Sequence, residues 1–372
     1  MRAAAPVWTA GNGCQPGRHG NLGGLSLSGI QMKSVINRVR HGLAAALFLL
    51  PSLAMAQYHE TSEGQAFIQD MVEQFGFEAS RVESLLAEAE RKESILDAIS
   101  RPAEKTLEWH QYREIFMRQE RIEQGVEFLQ QYREAFERAE AEYGVPAEVI
   151  AAIIGVETWY GRYKGKHRVL DALATLAFDY PPRSRFFRSE LAQYLLMTRE
   201  QGFDPEELIG SYAGAMGYGQ FISSSYRHYA VDFDDDGVAD ILNNPVDAIG
   251  SVANYFRAHH WQPGEPVAEQ VRNVLPEDSP LLTRELKPGL TVNDYRQAGL
   301  APDEGMDDDA KARAVRLAGA GGPELWLTYH NFYVITRYNH SHLYAMAVFQ
   351  LANALGEKAG QSEQQNGVGS NT

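Results

Sequence analysis

The chain has 372 residues, 44% of them hydrophobic and 22% charged, which is long enough for one large domain or several lobes and too apolar for overall disorder. With 34 Lys and Arg against 49 Asp and Glu the net charge is −15, and without a long basic stretch this argues against nucleic acid as a partner. The single cysteine, Cys14, excludes a disulfide framework, and no apolar run reaches the roughly 18 residues that an ordinary membrane span needs.

Residues 1–56 have the features of a leader for secretion. They hold five basic residues and no acidic one. From Met32 onward a basic start is followed by an apolar stretch at Leu43–Leu50 and by small residues at Ala54 and Ala56. This order is typical of a signal peptide at 32–56, cleaved after Ala56, with Met32 as the true start. We therefore expect a periplasmic protein, and no cysteine follows the apolar stretch to carry a lipid anchor.

The remaining chain predicts a mainly α, α+β protein. Residues 57–145 have apolar residues at helical spacing and predict an N-terminal helical lobe, and residues 146–262 carry the densest motifs and predict the catalytic core. The proline-rich stretch 263–325 predicts a small β-containing insertion. Residues 326–356 return to an aromatic helical pattern that would complete the core, and residues 357–372, rich in Gln, Gly, Ser and Asn, predict a disordered tail.

One glutamate falls among the apolar residues of a predicted helix. Pro146 is well placed to begin this helix, and at about 100° per residue Glu157 points the same way as its apolar residues. Burial and the negative end of a helix that stops at Gly161 both raise the pKa of such a carboxyl. A carboxylic acid that stays protonated near neutral pH suits general acid catalysis at a glycosidic oxygen. The alternative is a structural glutamate neutralised by Arg162 or Arg168.

Two neighbouring segments predict contacts with a ligand. Thr158–Arg168 mixes aromatic residues, glycines and cations, which suits a polysaccharide that carries carboxylates, and Arg183 extends the basic patch. The Gly-rich segment Gly210–Phe221 has neither a P-loop ending nor a dinucleotide fingerprint. Its small residues would let a ligand approach, with Tyr218 and Gln220 as polar contacts, whereas the alternative is tight packing of the backbone.

Five segments resemble the membrane-bound lytic murein transglycosylase B family. They are Val156–Gly161, Leu170–Phe178, Gly214–Phe221, Asp247–Phe256 and Ile335–Asn339, and the resemblance covers about residues 60–355. It implies a lysozyme-like core with a helical lobe and a small β-containing lobe. It also implies cleavage of the MurNAc–GlcNAc β-1,4 bond of peptidoglycan strands with release of 1,6-anhydromuramyl ends. Peptidoglycan glycan strands, and enzymes that build or remodel the cell wall, would be the partners.

The resemblance also assigns roles to particular residues. The glutamate of the Glu-Thr segment is the family's catalytic acid and base, which implies this role for Glu157. The substrate contacts that the resemblance implies are Arg183, Ser211, Gln220, Tyr255 and Tyr338. One carboxylate suffices in such enzymes because the C6 hydroxyl of the sugar attacks its own anomeric carbon, whereas ordinary glycosidases use two. A lysozyme-type muramidase and an inactive peptidoglycan-binding scaffold remain alternatives.

An acidic segment has the spacing of a calcium-binding loop. Carboxylates at positions 1, 3 and 5 and a carbonyl at position 7 follow the EF-hand order, with Gly237 at position 6. Position 12 is Asn243 instead of glutamate, and the resemblance implies a longer loop closed further along the chain. The predicted ligands are Asp232, Asp234, Asp236, Val238 and Asp247. We expect a structural Ca²⁺ and no organic cofactor, and the alternative is a solvated acidic turn.

Overall fold

The computed structural model describes residues 57–100, 107–272 and 275–369, and the leader predicted over 1–56 lies outside the described residues. Six helices cover the region predicted as the N-terminal lobe. They are α1 Ser62–Phe75, α2 Ala79–Glu88, α3 Glu93–Ser100, α4 Trp109–Phe116, α5 Gln119–Gln131 and α6 Arg133–Tyr143. The Thr61 side chain caps α1 by accepting a hydrogen bond from Gly64 N at 3.0 Å.

A buried helix, α7 at Ala147–Thr158, lies at the centre of the fold. It packs against α5, α6, α11 and α14, and residues 149–158 are all buried. The helix begins after Pro146, as predicted. The helix is buried on all sides and not only along one apolar stripe. Its last residue is Thr158, and the left-handed backbone of Trp159 (φ 53°) caps it. The sequence predicted that it would stop at Gly161, two residues after this cap.

Seven further helices follow α7 in the part of the chain that the structure describes, and among them α11 and α14 pack on α7. The seven are α8 Val169–Asp179, α9 Ser184–Gln201, α10 Ser223–Tyr229, α11 Pro245–Ala258, α12 Val292–Gln297, α13 His330–Tyr338 and α14 His342–Gly369. Helix α14 continues because Gln, Glu, Lys and Ala favour helix. The helix continues through residues 357–369 of the tail for which disorder was predicted, and residues 370–372 lie outside the described residues. Within the described residues, no helix is both long and apolar enough to cross a membrane.

The insertion contains a four-stranded antiparallel sheet with strand order β3-β6-β5-β4. Its strands are β3 Ala268–Val271, β4 Leu290–Thr291, β5 Lys311–Gly319 and β6 Gly322–Thr328, and a separate pair joins β1 His167–Arg168 to β2 Ile209–Gly210. The register pairs Arg313 with Thr328. Strand β6 therefore crosses the boundary predicted at residues 325/326, because the hairpin needs residues beyond 325 to pair with all of β5.

One hydrophobic core joins the regions predicted as separate lobes. It contains buried residues from Tyr58 in the first helical turn to Leu355 in α14, including the apolar residues of α7. A second, smaller cluster lies within the insertion, around Tyr295 and Leu327. The helices of residues 57–145 thus share the core of α7, and α5 and α6 pack directly on it, so these two help to position any group that α7 carries.

Candidate active site

Glu157 lies in the last turn of α7 and its side chain is 6% exposed, which confirms its predicted burial. The hydroxyl of Tyr344, on α14, donates a hydrogen bond to Glu157 Oε1 at 2.6 Å. Tyr344 is fully buried. The sequence prediction missed this residue, and the only signal that pointed to it was the aromatic helical pattern of residues 326–356.

Two further tyrosines surround this pair. The Tyr338 hydroxyl donates to Gly219 O at 2.5 Å, and its ring stacks 6.4 Å from that of Tyr344 and lies 4.7 Å from that of Tyr255. The Tyr255 hydroxyl donates to Arg337 O at 2.6 Å. Both were predicted to contact substrate, but Tyr338 is 0% exposed and Tyr255 5% exposed. The Tyr338 hydroxyl is bonded to backbone and its ring packs on that of Tyr344, and a contact of Tyr338 or Tyr255 with substrate remains a prediction.

These tyrosines stay protonated. Burial, reinforced by the negative charge of Glu157, raises the pKa of Tyr344 and of Tyr338 well above the usual range. The Tyr344 hydroxyl therefore remains a hydrogen-bond donor throughout the neutral range. Its part is to hold one oxygen of the Glu157 carboxyl in place, and it does not take up a proton.

The Gly-rich segment is held in its fold by its own polar groups. Ser211 Oγ accepts hydrogen bonds from the backbone of Ala213 (3.3 Å) and Ala215 (3.0 Å). Gln220, itself left-handed at φ 50°, donates from Nε2 to Gly217 O at 3.0 Å and to a second backbone carbonyl at 3.2 Å. Both side chains are buried. Ser211 and Gln220 therefore shape the turn, and their predicted contact with substrate remains a prediction.

Tyr218 keeps a partly exposed ring beside the catalytic helix. Thr158, the residue after Glu157, donates from Oγ1 to Tyr218 O at 2.9 Å. Gly161 leaves room for the Tyr218 ring, because a Cβ there would lie 2.1 Å from a ring carbon, and Lys164 Nζ lies 4.8 Å from the ring centroid. Tyr218 is thus fixed beside the end of α7 with part of its surface open, and its contact with a ligand remains a prediction.

The end of α7 is held by three residues of α5, Arg121, Gln124 and Gly125, which we call the α5 clamp. Arg121, only 6% exposed, donates from Nη1 to Gly155 O at 2.7 Å. Its guanidinium lies 4.3 Å from the centroid of the Trp159 ring. The Nε1 of Trp159 in turn donates a hydrogen bond to Gln124 Oε1 at 2.7 Å. Burial lowers the pKa of Arg121 to about 10, so the group remains a cation at neutral pH.

The α5 clamp stabilises an unfavourable backbone. Trp159 and Tyr160 are both left-handed, at φ 53° and 57°, which costs about 1–3 kcal/mol for each such residue. The Tyr160 hydroxyl lies where a Cβ on Gly125 or Gly155 would be, at 2.3 and 2.7 Å, so both positions require glycine. Strain of this kind directly after Glu157 indicates that the direction of the carboxyl depends on α5.

Arg183 is placed against helix α9. It ends the 3₁₀ turn Pro181–Arg183, and its guanidinium lies 4.1 Å from the Phe186 ring centroid. Burial lowers the pKa of Arg183, and the nearby buried carboxyl of Glu190 opposes that effect. Glu190 itself accepts a hydrogen bond from Ser224 N at 2.9 Å, so it caps α10. A contact between Arg183 and substrate remains a prediction.

The acidic loop brings three of its predicted ligands together. One carboxylate oxygen from each of Asp232, Asp234 and Asp247 lies within 4.8 Å of the others. Asp247 is 0% exposed, and its two oxygens accept hydrogen bonds from the backbone of Phe233 (2.7 Å) and Asp240 (2.8 Å). Burial raises the pKa of Asp247 to about 6. A buried carboxylate beside two others suits a hard divalent cation bound by oxygen.

The other two predicted ligands differ from this group. Asp236 is exposed, and its Oδ1 accepts a hydrogen bond from Val238 N at 2.9 Å. The Val238 carbonyl accepts from Asp240 N at 2.9 Å. Gly237 is left-handed at φ 99°, as the turn at position 6 requires. The structure therefore brings the carboxylates of Asp232 and Asp234 together with that of Asp247. Asp236 is not part of this group and is exposed.

The mainly helical fold, with Glu157 buried at the end of a central helix beside a Gly-rich loop, belongs to the lysozyme-like class of enzymes. The chain matches the sequence model of the transglycosylase SLT domain over residues 59–353. It therefore belongs to this family, and the predicted fold class and enzyme class are confirmed.

Named relatives support this placement. The membrane-bound lytic murein transglycosylase B of Escherichia coli (strain K12) is 44% identical over 300 residues, which cover 78% of this chain and 82% of the relative. The Escherichia coli lytic transglycosylase Slt35 in complex with calcium is 43% identical, with a TM-score of 0.75, and the match covers 81% of this chain and 95% of Slt35. SltB3 from Pseudomonas aeruginosa in complex with NAG-NAM-pentapeptide is 32% identical, with a TM-score of 0.68 and 78% of each chain covered.

Proposed function

We propose that this enzyme cleaves the MurNAc–GlcNAc β-1,4 bond of peptidoglycan with Glu157 as its single acid and base, leaving 1,6-anhydromuramyl ends. The observation that carries the proposal is the burial of Glu157 at the end of α7, with its Oε1 held by Tyr344 at 2.6 Å. The peptidoglycan fragment bound by the relative SltB3 supports the substrate class.

The proposed reaction needs only one carboxyl group. Protonated Glu157 gives its proton to the glycosidic oxygen as the bond from that oxygen to the anomeric carbon of MurNAc breaks. The C6 hydroxyl of the same MurNAc then bonds to the anomeric carbon, and the Glu157 carboxylate takes the hydroxyl proton. The carboxyl is regenerated and no water is consumed, so a second carboxylate has no task.

The residues around Glu157 divide into two groups in this proposal. Tyr218 and Arg183 contact the glycan or its peptide, because each keeps part of its side chain open. The buried members hold the geometry. Ser211, Gln220, Tyr255 and Tyr338 bond to backbone, and Tyr344 bonds to Glu157 Oε1.

Product analysis in isotopic water separates this reaction from hydrolysis. Purified sacculi digested in H₂¹⁸O are expected to give anhydromuropeptides that contain no ¹⁸O, since the new bond forms within the sugar. A muramidase would give reducing ends that each carry one ¹⁸O, and mass spectrometry distinguishes the two. Reducing-end products as the main species would refute the transglycosylase chemistry while leaving Glu157 as an acid.

Replacing Tyr344 with Phe is expected to lower kcat about tenfold. The loss corresponds to the roughly 1.5 kcal/mol that a hydrogen bond to a charged group contributes, here the bond that orients Oε1. The measurement is the rate of muropeptide release from sacculi. Tyr333→Phe on α13 is the matched control and should keep the rate of the wild type. Equal rates for all three proteins would show that Tyr344 does not orient the acid.

We further propose that the acidic loop binds Ca²⁺ through Asp232, Asp234 and Asp247, with Asp236 and the Val238 carbonyl completing the set. The gathered carboxylates and the buried Asp247 support this, and the relative Slt35 in complex with calcium gives independent support. The ion would be structural. It would neutralise the negative charge of the loop and fix the loop to the first turn of α11, where Asp247 lies. Tyr255 lies further along the same helix.

Removal of calcium is expected to lower Tm by about 5 °C, since a ligand at about 100 times its Kd stabilises by about 2.7 kcal/mol. Differential scanning calorimetry with CaCl₂ and with EGTA measures the change. Asp247→Asn should abolish the response to calcium, and the exposed Asp309→Asn in the insertion should keep it. An unchanged Tm in EGTA would remove the proposed site.

We place the enzyme in the periplasm, where its substrate lies. The basic start, apolar stretch and small residues of 32–56 support a signal peptide there. Enzymes that build or remodel the cell wall are the proposed partners. Mass determination of the mature protein purified from the periplasm tests the location, and an N-terminus other than Gln57 would move the cleavage site.

A further inference from the structure

The hydroxyl of Thr158, the last residue of α7, makes contacts in two directions. Thr158 follows Glu157 directly and is 1% exposed. Its Oγ1 accepts a hydrogen bond from Gly161 N at 2.9 Å and donates one to Tyr218 O at 2.9 Å. Oγ1 also lies 3.1 Å from Ile154 O in its own helix, but a hydroxyl carries one proton and the bond to Tyr218 is the shorter. One buried atom therefore joins the end of α7 both to the turn that follows and to the Gly-rich segment.

The turn at residues 159–161 has an unfavourable backbone. Trp159, Tyr160 and Gly161 are left-handed in succession, at φ 53°, 57° and 87°. Such a conformation costs about 1–3 kcal/mol for a residue other than glycine, so it persists only where surrounding contacts enforce it. The α5 clamp supports this turn from outside, and the bond from Gly161 N to Thr158 Oγ1 closes it from within. Without that acceptor the turn would relax, and it begins two residues after Glu157.

Two hydroxyls bond to neighbouring carbonyls of the Gly-rich segment. One is that of Thr158, and the other is that of Tyr338, which donates to Gly219 O at 2.5 Å. The Tyr338 ring stacks 6.4 Å from that of Tyr344, whose hydroxyl holds Oε1 of Glu157. These contacts form a closed path from the carboxyl through α14, α13 and the Gly-rich segment back to α7. The position of the Gly-rich segment and the direction of the carboxyl therefore depend on each other.

We propose that Thr158 is a positioning residue for Glu157. Its hydroxyl holds the strained turn and the Gly-rich segment in one arrangement, and this arrangement fixes the direction in which the carboxyl meets the glycosidic oxygen. Thr158 acts through these two bonds and not on the substrate, since its side chain is buried. The role rests on the proposed function, which makes Glu157 the acid.

Removal of the hydroxyl tests this role. Thr158→Val has nearly the shape of the wild type without the hydroxyl, and we expect kcat for muropeptide release from sacculi to fall about tenfold. KM should change by less than about threefold, because the surface open to glycan is unaltered. Thr158→Ala, whose smaller side chain cannot clash with the carbonyl of Tyr218, should show the same loss. Thr158→Ser keeps the hydroxyl and should restore kcat to within about twofold of the wild type.

A threonine on α9 is the matched control. Thr198 is 2% exposed, and its Oγ1 donates to Leu195 O at 3.1 Å. Thr198→Val therefore also loses a buried hydroxyl and its hydrogen bond, far along the chain from Glu157. This variant should lower Tm and leave kcat unchanged.

Hydrogen exchange followed by mass spectrometry reports the contacts without turnover. The amides of residues 159–163 and 216–221 should exchange faster in Thr158→Val than in the wild type, because the hydroxyl no longer bonds to either segment. Neither segment should change in Thr158→Ser or in Thr198→Val.

Several outcomes would overturn the proposal. A wild-type kcat in Thr158→Val, or equal losses of kcat in Thr158→Val and Thr198→Val, would show that the hydroxyl does not direct Glu157. A loss that Thr158→Ser does not restore, or one without faster exchange at 216–221, would also exclude the role. Release is measured whichever product forms, so failure of the isotopic product assay would refute the proposed reaction and leave these results standing.

Discussion

Replacement of Glu157 with Gln is expected to reduce the rate of muropeptide release about 10³-fold while the protein stays folded. Glutamine has the shape of glutamic acid and still accepts the hydrogen bond from Tyr344, but it has no proton to give to the glycosidic oxygen. The measurement is the initial rate on purified sacculi, with Tm recorded in parallel. Glu148→Gln, in the first turn of the same helix, is the control and should keep the rate.

The same variant separates an enzyme from a glycan-binding scaffold. Sedimentation with sacculi should show that Glu157→Gln still binds, since the Gly-rich loop and the tyrosines around it are unchanged. If the protein acts only by binding, Glu157→Gln would match the wild type both in muropeptide release and in sedimentation with sacculi. A variant that keeps more than about a tenth of the wild-type rate would remove Glu157 as the acid.

Replacement of Arg121 with Met is expected to reduce kcat by about 10- to 100-fold, which equals about 1.4–2.7 kcal/mol of transition-state stabilisation. The variant loses the bond to Gly155 O and the stack on Trp159, which together hold the left-handed backbone that follows Glu157. Relaxation of Trp159 toward an ordinary conformation would turn the carboxyl away from the glycosidic oxygen. KM should change by less than about threefold, because the surface open to glycan is unaltered.

A matched arginine elsewhere controls for general loss of packing. Arg199 also lies over an aromatic ring, 4.1 Å from the Phe77 centroid, and it donates from Nη1 to Phe75 O at 3.0 Å. Arg199→Met should lower Tm slightly and leave kcat unchanged. Equal effects of the two substitutions on kcat would show that Arg121 acts through global stability and not through the direction of Glu157.

Local patterns in the sequence identified Glu157 as the candidate acid but not its hydrogen-bond partner. Glu157 was found because an acidic residue interrupts twelve residues of otherwise helical, mostly apolar sequence. The sequence analysis attributed the burial of Glu157 to its position on the apolar side of the helix. That explanation was incomplete, because α7 is buried on all sides. Tyr344 lies 187 residues away, and the periodicity of one helix contains no information about which distant helix packs on it.

Side-chain roles also depended on packing that a linear pattern does not contain. The resemblance implied that Tyr338 contacts substrate, yet its burial is decided by Tyr255, Phe256 and the carbonyl of Gly219, which come from other parts of the chain. The acidic loop was better predicted because Asp232 and Asp234 are set by local spacing. The α5 clamp was not predicted, because its contacts join residues 34 or more positions apart and no local spacing indicates them.

The position of Tyr344 on α14 also has a consequence for proteolysis. A polypeptide truncated before α14 holds its glutamate without the phenol that orients it and without the buried residues of α14 that pack on α7. Proteolytic loss of α14 therefore takes away part of the core together with the phenol, and the fragment that remains cannot cut a load-carrying polymer.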